Sequence, residues 1–187
     1  MAQNGQVIEN PTSGERIVIR QTARETGGRL LAFDLFLGPG GRVPSGHAHP
    51  AQEEAFTVLE GRMRFRRGFR VIRAGPEERV VMPPGVFHSF ANRGPDPAHV
   101  LVEVRPAMRM EEVLEMAAQL GRPAASTGPF GVRRLTTMAL FLREYRREIG
   151  PPGVPPWVVA AVTAPLAALA GGLGQIQRRR AGTVTPR

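Results

Sequence analysis

The chain has 187 residues, a formal net charge of +9, no cysteine and 25 basic residues, all of which are arginine. This length suits one compact domain with an appended segment rather than two full domains. The absence of Cys excludes disulfides and thiolate ligands, and the absence of Lys excludes Schiff-base chemistry, so any metal must be bound by nitrogen and oxygen.

Residues 1–106 contain short apolar or alternating runs separated by Gly and Pro. The runs are "ERIVIRQ", "GRLLAFDLFL", "AFTVLEG", "RMRFRRG", "ERVVMPPG" and "HVLVEVRP". Runs of this length, rich in Val, Ile and Phe, predict an all-β sandwich or barrel. Gly27 and Gly28 lie between the first two runs and predict a hairpin turn. Asp34 interrupts the second run. Its side chain could face either the site or solvent, and we favour solvent.

Two amphipathic helices are predicted in residues 107–150. The first has Glu111 and Glu112 in its opening turn and Gly121 at the position of a C-terminal cap. The second is predicted to end before Gly150 because two prolines follow. The apolar stripes that predict them are Met110, Val113, Met116, Ala117 and Leu120, and then Val132, Leu135, Met138, Leu142, Tyr145 and Ile149.

Residues 151–187 form a Pro-rich linker followed by an apolar tail with a basic end. The 18 residues from Trp157 to Gly174 carry no charge, but Pro165 and several glycines argue against a membrane span. We favour docking on the chain's own domain or across a homodimer, with membrane-surface attachment through 157–180 and a true span as the alternatives. The stripe that supports docking is Val158, Val162, Leu166, Leu169, Leu173 and Ile176.

The opening residues have neither the basic nor the apolar region of a secretory signal. We therefore expect a cytoplasmic protein, with association to a membrane through the tail as the alternative.

His47 and His49 are the first candidates for chemistry. Alternate residues of a strand face one side, so these two side chains project together. Glu54 lies an odd number of positions after His49 and would face the other way in a continuous strand. Pro50 predicts a turn that resets the alternation and returns Glu54 to the histidines. Glu53 is the competing carboxylate and is assigned to an exposed or outer position.

His88 supplies a third nitrogen. It follows the turn "PPG" at residues 83–85, and Asn92 can close the next turn with its side chain. Three imidazoles and one carboxylate suit Fe(II), Mn(II), Ni(II), Co(II), Cu(II) or Zn(II). A six-coordinate ion would keep two positions open to water, O2 or substrate, which is how such a site becomes catalytic.

These residues resemble the two motifs of the cupin superfamily. The stretch "GRVPSGHAHPAQEEAFTVLEG" matches the first motif, and "MPPGVFHSFAN" matches the second. The opening glycine of the second motif is displaced, since seven residues rather than five separate Gly75 from Pro83. The matching positions are Gly41, His47, His49, Glu54 and Gly61, then Pro83, Gly85, His88 and Asn92. The opening "NPTSGERIVIR" and the ending "PLAALAGGLG" are similar to those of bacterial single-domain cupins.

The resemblance implies an antiparallel jelly-roll barrel, or double-stranded β-helix, over residues 30–106, followed by helices. It implies a divalent metal bound by His47, His49, Glu54 and His88, with a small molecule as ligand or substrate. A dioxygenase-type oxidoreductase in which Glu54 is also the base is one expected function, and isomerase chemistry would use the same site. The alternative is a non-catalytic binding cupin whose tail mediates dimerisation or membrane attachment.

The remaining candidates have plainer interpretations. His99 lies on the strand "HVLVEV" and is expected to be a surface or hydrogen-bonded residue. The run "GRMRFRRGFRVIR" is expected to be a half-exposed strand with a solvated arginine face. An anionic small molecule or lipid headgroup suits these arginines better than a nucleic acid, because few aromatic residues accompany them.

Overall fold

The computed structural model of the chain describes residues 2–10, 13–43, 46–120 and 132–181, without the side chains of 132–135 and 169–181. The elements of this part follow one another from an all-β half to an all-helical end. The strands are β1 (Val7–Asn10), β2 (Glu15–Gln21), β3 (Leu31–Leu37), β4 (Glu53–Glu60), β5 (Met63–Arg67), β6 (Arg70–Ala74), β7 (Arg79–Met82), β8 (His88–Asn92) and β9 (Ala98–Arg105). The helices are α1 (Met110–Leu120), α2 (Val132–Glu144) and α3 (Pro156–Ala181). The predicted Gly121 cap lies outside the described residues.

The strands form two antiparallel sheets that enclose one apolar core. The larger sheet has the order β1-β2-β3-β9-β4-β7 and the smaller one the order β6-β5-β8. Phe56 of the larger sheet contacts Phe65 and Phe90 of the smaller sheet, with ring centroids 5.1 and 5.2 Å apart. The predicted jelly-roll fold followed by helices is therefore confirmed, with β1, β6 and β8 as strands that lie outside the quoted runs.

Alternation along β9 fixes which residues enter the core, because Ala98, Val100, Val102 and Val104 are buried and the residues between them are only partly buried. In β3 the side chains of Phe33 and Leu35 point inward and lie opposite Val102 and Val100 of β9. Each such fully buried side chain contributes about 1.5–3 kcal/mol to folding. A shift of one residue in this pairing would expose the whole inward row, so burial determines the register.

Asp34 occupies the outer face of β3, but it is not solvated. Its carboxylate is 2.5 Å from Arg20 Nε and 2.7 Å from His99 Nε2, and the residue is 7% exposed. The expectation that Asp34 faces solvent is therefore wrong, because two partners cover a carboxylate that points away from the core. His99 is hydrogen-bonded, as predicted, and stacks on Phe36.

Helix α1 confirms the first helical prediction, whereas α2 ends earlier than predicted. It stops at Glu144, and the chain then turns so that Gly150 pairs with Ala48 beside the barrel. The two backbone hydrogen bonds between Gly150 and Ala48 are both 3.0 Å long. Two hydrogen bonds of the helical type, from Tyr145 N to the carbonyl of Phe141 and from Ile149 N to the carbonyl of Tyr145, precede this pairing with the barrel.

The face of α3 that packs on α2 is shifted by one residue from the predicted stripe, of which Val158 and Leu166 are partly buried. Val159 and Thr163 are buried, whereas Val162 of the predicted stripe is 69% exposed and Trp157 is 72% exposed. Arg143 of α2 donates to the carbonyl of Ala160 at 2.8 Å, which places this face of α3 against α2. Within the described residues, no helix combines the length and the apolarity needed to cross a bilayer.

Candidate metal centre

The loop that carries His47 runs antiparallel to the start of β8. The amide of His47 donates to the carbonyl of His88 at 3.0 Å, and the amide of His88 donates back at 2.8 Å. This pair of hydrogen bonds places the side chain of His47 beside that of His88, with ring centroids 4.5 Å apart. Ala48 pairs with Gly150 on the other edge of the loop, so His47 and His49 project to the same side.

Glu54 joins these histidines across a turn. Residues 50 and 51 form the turn, and β4 then carries Glu54 on its core face, opposite Met82 and Val104. Its Oε2 atom lies 3.3 Å from His49 Nε2 and 3.0 Å from His88 Nε2. Glu53 lies on the other face of the strand, opposite Arg105, as expected for an outer residue.

The structure thus brings His47, His49, Glu54 and His88 into one cluster. Their candidate ligand atoms all lie within 4.8 Å of one another. His49, Glu54 and His88 are 4%, 7% and 1% exposed, and His47 is half-buried. His47 is therefore the member of the cluster with the greatest access to solvent.

Main-chain carbonyls orient two of the imidazole rings. His49 Nδ1 lies 2.6 Å from the carbonyl oxygen of Glu148, and His88 Nδ1 lies 3.0 Å from that of Val86. A carbonyl oxygen only accepts, so each Nδ1 carries a hydrogen in these contacts. In the neutral rings each Nε2 atom then carries a lone pair directed at the cluster. This tautomer of histidine is the one that binds a metal through Nε2.

Three atoms of the cluster have no hydrogen-bond partner among the described residues. They are His49 Nε2, Glu54 Oε2 and His88 Nε2, and all three are buried. With both Nδ1 atoms protonated, the short contacts to Glu54 set imidazole lone pairs against a carboxylate, so either a proton or a metal cation is needed between them. A divalent metal bound by these atoms satisfies all three, and the residues present therefore fit such an ion.

The charges in the cluster favour an ionised Glu54. Burial raises the pKa of the Glu54 carboxyl, but in the metal-free state with protonated imidazoles the charges of His49 and His88 and their Nε2–H groups outweigh burial and hold that pKa well below its ordinary value. Burial likewise lowers the pKa of His88, and the hydrogen bond and charge of Glu54 reverse this and raise it. The cluster consequently keeps an anionic carboxylate that attracts positive charge.

An apolar aromatic cluster lies next to the site. Phe56 follows Glu54 by two residues on the same face of β4, and Phe90 follows His88 in the same way on β8. Phe65 packs between the two sheets against both rings. These buried rings exclude water from one side of the cluster, which strengthens electrostatic interactions within it.

Sequence reasoning missed two residues that support the site. The side-chain amide of Gln52, which is fully buried, donates to the carbonyls of Pro106 and Ala107 at 2.9 and 3.0 Å. It therefore ties the turn before Glu54 to the junction of β9 and α1. Glu148 contributes its carbonyl from the far end of the helical extension. The position of Gln52 inside the motif was a possible signal, whereas no local pattern marks Glu148.

Residues 34–104 match a family model described as "Cupin domain". A predicted oxalate decarboxylase from Thermotoga maritima has a similar structure, with a TM-score of 0.50, 16% identity, and coverage of 57% of this chain and 98% of that chain. An RmlC-like cupin from Shewanella frigidimarina covers 59% and 94% of the two chains at 18% identity and a TM-score of 0.49. No curated protein sequence matches the chain. These structural similarities concern the fold alone.

Proposed function

We propose that this chain, whose residues 34–104 match the family model of the cupin domain, binds one divalent transition-metal ion through His47, His49, Glu54 and His88. The observation that carries the proposal is the set of three buried, unpartnered atoms that converge from β4, β8 and the loop before β4. Nitrogen and oxygen donors of this kind suit Fe(II), Mn(II), Co(II), Ni(II), Cu(II) or Zn(II).

We further propose that the site acts on a small molecule, as a dioxygenase-type oxidoreductase. A redox-active ion bound there would supply Lewis-acid activation and O2 chemistry. His47, as the half-buried member of the cluster, marks the side from which a substrate enters. The Glu54 carboxylate, buried and anionic, is the group positioned to accept a proton from a bound hydroxyl.

Metal content tests the first part of the proposal. The intact chain, purified without a chelating tag, is stripped with a chelator and reloaded with Co(II), whose visible spectrum reports tetrahedral or octahedral ligation. We expect one equivalent per chain, and none in His88→Ala. The matched control is His99→Ala, which removes a histidine bonded to Asp34 outside the site. Equal metal content in the His88 and His99 variants would contradict the proposal.

Oxygen consumption tests the second part. The protein loaded with Fe(II) is assayed against catechols, flavonols and diketones, with the Glu54→Gln variant as the comparison. We expect O2 uptake with one class of substrate and a loss of at least a hundredfold in the variant, within the usual contribution of a positioned base. No uptake from any substrate, with metal firmly bound, would favour a non-catalytic role.

The second candidate is a non-catalytic metal-binding cupin whose tail mediates assembly. Trp157 and Val162 are the observation that favours it, since both are large, apolar and exposed on α3. We propose a homodimer through this face, with attachment of residues 157–180 to a membrane surface as the alternative. Sedimentation of the intact chain and of the Trp157→Ser/Val162→Ser variant tests this. An unchanged mass would overturn the dimer, and unchanged vesicle binding would overturn attachment.

A further inference from the structure

The smaller sheet carries a face of arginines without acidic partners. Met63 and Phe65 of β5 point into the core, so Arg64 and Arg66 lie on the outer face. Arg64 lies directly opposite Arg73 of β6 on one side and Ala91 of β8 on the other, and Ala91 in turn pairs with Arg42. Residues directly opposite in a sheet share a face. Arg42, Arg64 and Arg73 therefore form one row, which we call the arginine row.

No acidic residue in the described part of the chain neutralises this face. The strands β5, β6 and β8 contain five arginines and no Asp or Glu. None of the ion pairs within the described ranges involves these arginines, and the residues outside those ranges include no acid. The larger sheet behaves differently, because Arg20, Arg79 and Arg105 each pair with a carboxylate.

The pairing of Arg64 with Arg73 is unfavourable within the isolated chain. Like charges directly opposite each other in a sheet destabilise it. The second opposed pair of this hairpin, Arg67 and Arg70, lies on the other face of the sheet, and Arg67 donates to the carbonyl of Val81 at 3.1 Å. An anionic partner outside the chain would neutralise the opposed pair of Arg64 and Arg73 and relieve this repulsion.

The tip of this hairpin is apolar. Gly68 and Phe69 connect β5 to β6, with Gly68 at a φ of +58°, which suits the first central position of a type II′ turn. Phe69 is 99% exposed, and Val71 beside it is 47% exposed. A fully solvated phenylalanine between arginines combines the two groups that interfacial binding uses, namely an apolar side chain for insertion and cations for headgroups.

We propose that the arginine row and Phe69 dock the protein on an anionic phospholipid surface. Phe69 enters the acyl boundary while the arginines bind lipid phosphates and carboxylates. A single-stranded nucleic acid is a poorer fit, because it needs aromatic rings along the basic surface on which bases stack. Phe69 projects from the tip instead, and the ring of Phe87 is covered by the Arg66 guanidinium, 5.2 Å from its centroid. The arginine row lies on the outer face of the smaller sheet, whereas His88 of the metal cluster is buried on the core side of β8.

Vesicle partition of the intact chain tests this proposal. We expect binding to phosphatidylcholine vesicles that contain phosphatidylserine, no binding to phosphatidylcholine alone, and release at high salt. Arg64→Gln/Arg73→Gln should weaken binding about 25-fold, from roughly fivefold for each arginine. The control Arg16→Gln/Arg24→Gln removes the same charge from exposed positions elsewhere and should change binding less than about twofold.

A local probe completes the test. In a Trp157→Phe background, Phe69→Trp should show a blue shift and quenching by brominated lipids. The Arg64→Gln/Arg73→Gln variant should melt at the same temperature as the parent or higher, because it relieves repulsion, so loss of binding is not loss of fold. If both double variants bound vesicles equally weakly, net charge alone would explain the binding and the proposal would be overturned. So would a lack of quenching in the Phe69→Trp variant, unaffected binding in Arg64→Gln/Arg73→Gln, or retention of an oligonucleotide but not of vesicles.

Discussion

The Nδ1 atom of His49 lies 2.6 Å from the main-chain carbonyl of Glu148, which is 99 residues further along the chain. This contact joins a proposed metal ligand to the end of the helical extension. The backbone pairing of Ala48 with Gly150 holds the two segments together on either side of it. The helices after the barrel therefore take part in orienting the ligand set, and changes in them are expected to alter metal affinity.

Gly150→Pro tests this coupling. The substitution removes the amide that donates to Ala48, and we expect metal affinity to fall by about 10–100-fold, as for other groups that orient metal ligands. Gly150→Ala is the matched control, because it keeps the amide and a Cβ there meets nothing within 4 Å. Competition with a chromophoric chelator measures both affinities. Wild-type affinity in the proline variant would show that the contact does not position His49.

Glu54→Gln should change the stability of the metal-free and metal-loaded protein in opposite directions. Without metal, the new amide can donate to an imidazole Nε2 that otherwise lacks a partner, so the metal-free protein should be about 1 kcal/mol more stable. With metal at a hundred times its dissociation constant, the parent gains about 2.7 kcal/mol and the variant much less. Urea unfolding with and without Co(II) measures this. A parallel shift in both states would contradict it.

Asp34 should contribute a pH-dependent part of the stability. Burial raises the pKa of its carboxyl, but the hydrogen bonds and charges of Arg20 and His99 outweigh burial, so its pKa in the folded chain is lowered. A lowered folded pKa gives stability that is present above the unfolded value of about 3.9 and is lost as pH falls through the folded value.

Asp34→Asn should therefore destabilise the protein by about 1–3 kcal/mol at neutral pH and make the loss of stability below pH 4 shallower. Urea midpoints between neutral and acidic pH measure both effects. Asp96→Asn is the control for the loss of one carboxylate at an exposed position. If Asp34→Asn lost stability with falling pH as steeply as the parent, Asp34 would not contribute to the pH dependence.

Phe56 and Phe69 should respond very differently to removal of their rings. Phe56 has no exposed surface and contacts two other rings, so Phe56→Ala should cost about 3–5 kcal/mol. Phe69 is 99% exposed, so Phe69→Ala should change stability by less than about 0.5 kcal/mol. Urea unfolding of the two variants measures both changes in the free energy of unfolding. A large loss for Phe69→Ala would mean that its side chain packs within the folded chain.

The amino-acid sequence by itself determined most of the strands, the first helix and the grouping of His47, His49 and Glu54. These features depend on local spacing. Alternation assigns faces along a strand, and Pro50 allows the turn that returns Glu54 to the histidines. His88 is too far along the chain for local spacing to group it with the other three residues. Only the resemblance of residues 83–92 to the second cupin motif assigned it to the same site.

Only the tertiary structure decided the contacts between segments that are remote in the chain. The carbonyl of Glu148 meets His49, and Arg20 and His99 cover Asp34, because the folded chain brings separate elements together. Helix α3 likewise buries Val159 and Thr163 instead of Val162, since the position of α2 selects the covered face. A backbone carbonyl has no residue-type signature, and an amphipathic stripe does not specify its partner. Periodicity can therefore assign a side chain to a face, but packing determines what that face meets.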